Sequence, residues 1–357
     1  MKKSIVLVGL SYALDNYMVS HIELLKKHSN VTVLAVDSDP KLKRFFHRRS
    51  LISTPFEMMF LFVFLLRNRP DTCISVGPKL GGMLSILCRL VKVKHAHWFT
   101  GQVWCNANSP KLTASYWCDR VITTLSPILL SDGPSQAEFL KCQFRKNLKE
   151  KDISVPGLGS INGVPNKFFS KVGRKSSDPL KVCFVGRKAK GKGLDVITQV
   201  AQKLCSDKSI EFILAGPTDL SFDDYSNWKS DVEARLSNIH FIDDFVDPIE
   251  IFEDANVLLL PSEREGFGSV VIEAQSMGLP VICSDIYGLK DAFIDGVTGF
   301  SCEQKSVDSY VKAILRLKDR AVFDSMSESA QKFSRNFEHQ CFNQYLLNCY
   351  TKVGVIS

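Results

Sequence analysis

The passage from Val257 to Ser284 limits what this chain can fold into more than any other part of it. A short apolar run, Val257–Leu260, stops at Pro261, and a turn carrying Gly266 and Gly268 around Phe267 follows. A helical pattern then covers Ser269 to about Met277, Gly278 stands where a left-handed C-cap belongs, and Pro280 forbids continuation. Val281–Cys283 begins a second apolar run. Two continuous apolar runs joined through a helix describe parallel strands buried on both faces. The Gly-rich turn presents unpaired N–H groups at the positive end of a helix dipole, an arrangement that favours an anion such as phosphate. Two carboxylates frame it with the spacing E-x7-E, Glu265 in the turn and Glu273 within the helix. An ionised carboxylate only accepts hydrogen bonds, so beside an anion site it suits sugar hydroxyls better than the anion itself.

The same strand–helix alternation recurs along the chain. Ser4–Leu10 reads as a strand ending at Gly9, with a helix near Tyr17–Lys27 and a strand at Val31–Val36, the opening of a doubly wound sheet. Cys73–Val76, Lys94–Phe99 and Val121–Leu125 are expected strands, with a helix at about Leu80–Leu90. Gly77, Gly81 and Gly82 are read as a tight turn before that helix. Ser306–Leu317 and the last 30 or so residues are expected helices, and polar residues 170–179 are the expected linker between two domains. At 357 residues the chain is long for a single core.

After Leu180–Val185 comes "GRKAKGKG", whose spacing from Gly186 to Lys192 satisfies the G-x-x-x-x-G-K of phosphate loops. Gly193 follows where those loops need Ser or Thr for magnesium, which counts against a nucleotide hydrolase. Lys188 and Lys190 are read as solvated. Asp37-Ser-Asp39 resembles a D-x-D metal motif but also fits the ordinary acidic end of a strand, and no metal site is assigned.

With these residues in view, "EGFGSVVIEA", the later G-x-P-V-I-x-S, and the spacing from Gly288 to Phe300 resemble the retaining glycosyltransferases of family 4. "HWFTGQVW" (97–104), "SDGPSQAEFL" (131–140) and "GLGSINGVPNKFF" (157–169) resemble members that build bacterial polysaccharides on lipid carriers. The resemblance implies an α/β GT-B fold, two Rossmann-like doubly wound domains facing a cleft, over residues 1–172 and 173–339, with about 340–357 packing back on the first. It implies that Glu265 contacts the donor sugar, Glu273 the ribose, and Arg187 with Lys192 the diphosphate, while His97 supports the sugar. Gly266, Phe267, Gly268, Ser269, Val270 and Gly186 are assigned to the nucleotide-sugar, and Gly9 with them. It implies no cofactor and no metal. Departures are Gly133 for a usual Ser, Pro165 for a usual Asp, and Asp243 for a usual Gly in the base-binding region.

Charge points to the other substrate. Residues 1–177 carry 26 Lys+Arg against 11 Asp+Glu, a net +15, while the remainder nets −8. "KLKRFFHRR" (41–49) precedes the apolar "PFEMMFLFVFLL" (55–66), which is too short to span a bilayer and fits either a helix buried against the sheet or a face lying on an anionic membrane. The 11 cysteines form no C-x-x-C pair, and no signal peptide is read at the start, so a reducing cytoplasmic compartment is expected. The resulting expectation is a hexose or N-acetylhexosamine moved from a nucleotide-sugar, UDP favoured, to an undecaprenyl-diphosphate-linked saccharide in O-antigen or other surface polysaccharide assembly. The enzyme would sit peripherally at the inner face of the plasma membrane, with no nucleic acid partner. The rivals are a phosphate-loop hydrolase, a GT-B epimerase, and a non-catalytic binding protein using the basic half.

Overall fold

The structure, a computed structural model, describes residues 2–37, 54–105, 109–148, 151–169, 178–219, 222 and 224–357. The basic segment 41–49 and most of the expected linker lie outside these residues. The chain divides into two compact units, residues 1–163 with 339–357, and residues 164–338.

The first unit is built on six parallel strands: β1 Ser4–Gly9, β2 Asn30–Ala35, β3 Thr72–Val76, β4 Lys94–Phe99, β5 Ile128–Ser131 and β6 Ile153–Ser154, in the order β2-β1-β3-β4-β5-β6. Alternation along β1 loads both faces of the sheet: Ile5 and Leu7 join one buried cluster, Val6 and Val8 another. The helix His339–Lys352 completes the first of these clusters with Phe342, Leu346 and Tyr350. The Tyr350 hydroxyl lies 2.8 Å from His21 Nδ1.

Two expectations change here. Val121–Leu125 is the end of a helix, Ala114–Leu125, and the strand follows it as β5. Its β-branched residues favour strands, but Thr113 caps the helix by accepting from the Tyr116 amide, and Tyr116, Asp119, Ile122 and Thr123 bury one face. Tertiary burial at helical spacing overrides local propensity. Gly77 does form the turn, but Gly81 and Gly82 lie inside the helix Pro78–Val91. A Cβ on Gly82 would stand 3.3 Å from Cys118 Cβ, so these glycines let two helices approach closely.

The helix Thr54–Asn68 has two apolar faces. Glu57, Leu61 and Leu65, spaced by four, are fully buried, and Glu57 pairs with Lys79 at 2.7 Å. Phe56 and Met59 are each 63% exposed, with Phe60, Val63 and Leu66 also outward. No helix among the described residues is long and apolar enough to cross a membrane.

The second unit repeats the architecture with β7 Leu180–Val185, β8 Ile210–Ala215, β9 Ile239–Ile242, β10 Val257–Leu260, β11 Val281–Ser284 and β12 Gly299–Cys302, all parallel. Their order is β12-β11-β10-β7-β8-β9 around a single large core. The first strand of this unit, β7, thus neighbours its fourth, β10, and the winding reverses between them. Ligands of doubly wound sheets bind outside the carboxyl ends of the strands at such a reversal.

Candidate active site

The loops leaving β7 and β10 meet at that reversal. The Glu263 amide donates to Gly191 O at 2.8 Å, and the Lys192 ammonium pairs with Glu265 Oε1 at 2.7 Å. Gly193 takes φ +74, and a Cβ there would fall 2.2 Å from the carbonyl oxygen of Pro261, so only glycine lets the two loops close together. Gly268 takes φ +71 as the N-cap of the helix Ser269–Ser276, and no side chain caps that end. The amides of Ser269 and Val270 therefore head the helix beside the Lys192–Glu265 pair. The expected helix and stop, with Gly278 at φ +80, are found within one residue of their sequence positions.

Gly186, Arg187 and Lys192 thus share one loop, Glu265 to Val270 the other, and Glu273 follows one helical turn on. Arg187 is half-exposed, and its Nη1 donates to Asp219 Oδ2 at 2.6 Å. Burial pushes the Glu273 carboxyl up to about 7, against an opposing pull from Lys167, although part of its surface still meets solvent. Lys167, which pairs with Asp247 at 2.7 Å, is a neighbour of Glu273 that sequence reasoning missed. The Phe267 ring is buried, 5.6 Å from that of Phe337.

Lys188 overturns its reading as solvated. It is 0% exposed, and its ammonium donates to the carbonyls of Gly216 and Ile242 (2.6 Å for the latter) and lies 3.0 Å from Asp243 Oδ1. Asp243 also receives Lys229 at 2.5 Å and the Tyr225 hydroxyl. Burial alone would raise the Asp243 pKa, but these donors hold it at about 2. The departure at Asp243 is therefore structural, the anchor of a buried lysine. Lys190, two residues on, is exposed as expected.

His97 and Gly9 belong to the first unit. Gly9 ends β1 close to Leu14, whose Cδ2 would stand 2.9 Å from an added Cβ. His97 is 1% exposed, its Nδ1 lies 2.8 Å from Ser75 Oγ, and it lines a small cavity with Gly77, Pro78, Thr100, Ser115 and Asp119. Burial and the neighbouring His95 hold its pKa well below the ordinary value. Two tryptophans of "HWFTGQVW" donate to buried carboxylates, Trp98 to Asp132 at 2.6 Å and Trp104 to Asp119 at 2.7 Å. Burial pushes both carboxyls up to about 7. Asp37 binds the amide and hydroxyl of Ser11 at 2.6 and 2.7 Å, while Asp39 lies outside the described residues. Among the described residues no cluster of His, Cys, Asp or Glu is placed to hold a metal ion.

Residues 166–339 match the family model "Glycosyl transferases group 1". The chain is 30% identical over 217 residues to the capsular polysaccharide biosynthesis glycosyltransferase CapM of Staphylococcus aureus, covering 57% of this chain and 56% of that protein. It is 30% identical over 263 residues to a D-inositol 3-phosphate glycosyltransferase of Corynebacterium aurimucosum, covering 68% and 61%. The chain thus spans less than two thirds of the length of either relative. The structure of Anabaena HepE in complex with UDP and glucose superposes with a TM-score of 0.75 at 14% identity, over 98% of this chain and 100% of that one. Residues 166–339 thus match the group 1 glycosyltransferases, and the two parallel six-stranded sheets have the architecture of the GT-B fold.

Proposed function

We propose that this protein is a retaining glycosyltransferase of family 4 that moves a hexose or N-acetylhexosamine from a nucleotide-sugar, UDP-linked by preference, to a lipid-linked saccharide. The observation that carries the reading is the Lys192–Glu265 pair, held at the sheet's reversal beside an uncapped helix N-terminus. Arg187, Lys192 and the Ser269 and Val270 amides would neutralise the diphosphate as its bond to the sugar breaks, a task for which two cations and a helix dipole suffice without a metal. Glu265, paired with Lys192 at 2.7 Å, would bridge the phosphate-binding cation and the sugar hydroxyls. Glu273, with its carboxyl near 7, can accept from the ribose diol or donate to it. His97 would meet a substrate oxygen through the small cavity it lines in the first unit. In the retaining step the acceptor hydroxyl attacks the anomeric carbon from the face the diphosphate leaves. The departing phosphate oxygen takes the hydroxyl proton, so no separate base is needed.

The acceptor we favour is an undecaprenyl-diphosphate-linked saccharide of O-antigen or capsule assembly, reached peripherally at the cytoplasmic membrane face. Supporting this are the +15 charge of residues 1–177 and the exposed apolar row of Phe56, Met59, Phe60, Val63 and Leu66. The relative CapM is itself named for capsular polysaccharide biosynthesis.

The test is to incubate the full chain with EDTA, a panel of nucleotide-sugars and bacterial lipid extract. Sugar on lipid with release of UDP or GDP is expected, falling on the order of 100-fold in Glu265→Ala. Turnover only onto soluble acceptors would remove the lipid substrate. Absence of turnover with every donor would overturn the reading, and phosphate released from ATP in a magnesium-dependent way would establish the hydrolase instead.

A further inference from the structure

His95 and His97 are two residues apart on β4, so their rings leave the same face of the sheet. Ser75 on β3, the register partner of His97, stands between them, its Oγ 2.9 Å from His95 Nε2 and 2.8 Å from His97 Nδ1. The far side of His95 is closed by Ser126, whose Oγ lies 2.7 Å from Nδ1. All four side chains are 1% exposed or less. Burial keeps both imidazoles neutral, with His95 lowered to about 3.

Each neutral ring carries one N–H and each hydroxyl one O–H, so the protons along this chain can be placed by counting. If Ser126 donates to His95 Nδ1, His95 Nε2–H donates to Ser75, and Ser75 donates to His97 Nδ1, every proton inside the chain has an acceptor. The remaining N–H is then on His97 Nε2, on the ring that lines the small cavity with Thr100, Gly101, Ser115 and Asp119. Any other neutral arrangement strands the hydroxyl proton of Ser126 or of Ser75. Among the described residues neither hydroxyl has a partner outside this chain, and both are 0% exposed. A stranded buried proton costs about 1–3 kcal/mol, enough to decide between arrangements otherwise alike. The ring is also held mechanically: a Cβ on Gly81 would fall 2.3 Å from His97 Cε1, and Phe99 meets the ring edge-on at 4.6 Å.

We infer that Ser126, His95 and Ser75 are positioning residues that fix His97 as its Nε2–H tautomer, so that His97 meets substrate as a neutral hydrogen-bond donor to a sugar or phosphate oxygen and not as a base. This rests on the assignment of His97 to the substrate made above, and the test separates the two. Imidazole nitrogen spectra of the full chain labelled with 15N-histidine read the tautomer without any turnover. A single Nε2–H species for His97 at neutral pH is expected, giving way to a tautomer mixture in Ser75→Ala and restored in Ser75→Thr. An Nδ1–H species or an imidazolium in the unmodified protein overturns the inference, as does an unchanged spectrum in Ser75→Ala. In the lipid-acceptor assay, Ser75→Ala is expected to lower kcat by up to about tenfold, the rate equivalent of one hydrogen bond, with KM for the acceptor little changed. Undiminished turnover of His97→Ala would overturn the donor role itself, whatever the tautomer observed.

Discussion

Lys188 and Lys190 lie two residues apart in one basic loop, yet one is fully buried and the other exposed. Lys188→Met would strand the Gly216 and Ile242 carbonyls and remove a partner of Asp243, so a loss of about 3–5 kcal/mol is expected by urea unfolding. Lys190→Met should change stability by no more than about 0.5 kcal/mol. Sequence could not separate them, because the acceptors that bury Lys188 come from the ends of β8 and β9, 28 to 55 positions away. The buried Asp119 makes a pH prediction. Its folded pKa of about 7 stands above its ordinary 3.8, so the proton it holds stabilises the fold fully below pH 3.8, and that contribution is lost as pH rises to 7. Asp119→Asn keeps an acceptor for Trp104 Nε1 and removes the charge. Its thermal midpoint should therefore fall less than that of the parent between pH 4 and 8. A parallel decline in both proteins would show that Asp119 is not the group responsible.

At the scale of elements, the strand–turn–helix passage at 257–284 was legible because each boundary is a local event: Pro261 ends a strand, Gly268 must turn left-handed, and Gly278 with Pro280 stops the helix. Val121–Leu125 was misread because β-branched residues were weighed without the helix they pack against. The glycines of "GRKAKGKG" were legible as a loop, but the need for Gly193 was not, since the atom it must avoid is the carbonyl of Pro261 on another loop. Gly193→Ala combines that overlap with a left-handed backbone, and a loss of about 1–3 kcal/mol in thermal unfolding is expected. Because the shift would move Lys192 away from Glu265, weaker UDP binding by calorimetry should accompany it. The helix Thr54–Asn68 buries Leu61 and Leu65 in the core, as one of its sequence readings expected, and leaves Phe56 and Met59 outside.

At the scale of the whole molecule, the last segment belongs to the first unit although the chain reaches it only after completing the second. Phe342, Leu346 and Tyr350 fill the cluster that holds Ile5, Leu7 and Trp98, and the Lys3 ammonium binds the carbonyls of Gly354 and Ile356 at 3.0 and 3.3 Å. Deleting residues 339–357 should cost more than the roughly 5 kcal/mol that stabilises an ordinary domain. The first unit is then expected to lose its cooperative melt and the protein its solubility, which circular dichroism and soluble yield would register. The sequence by itself determined two parallel α/β sheets and the glycine turn that opens the helix Ser269–Ser276, because strand period, helix stops and glycine turns act over a few neighbouring residues. Only the tertiary structure decided strand order, and with it the meeting of Lys192 with Glu265, the burial of Lys188 and the serine–histidine chain beneath His97. Each of those joins groups from elements distant in the chain, where no local pattern records the contact.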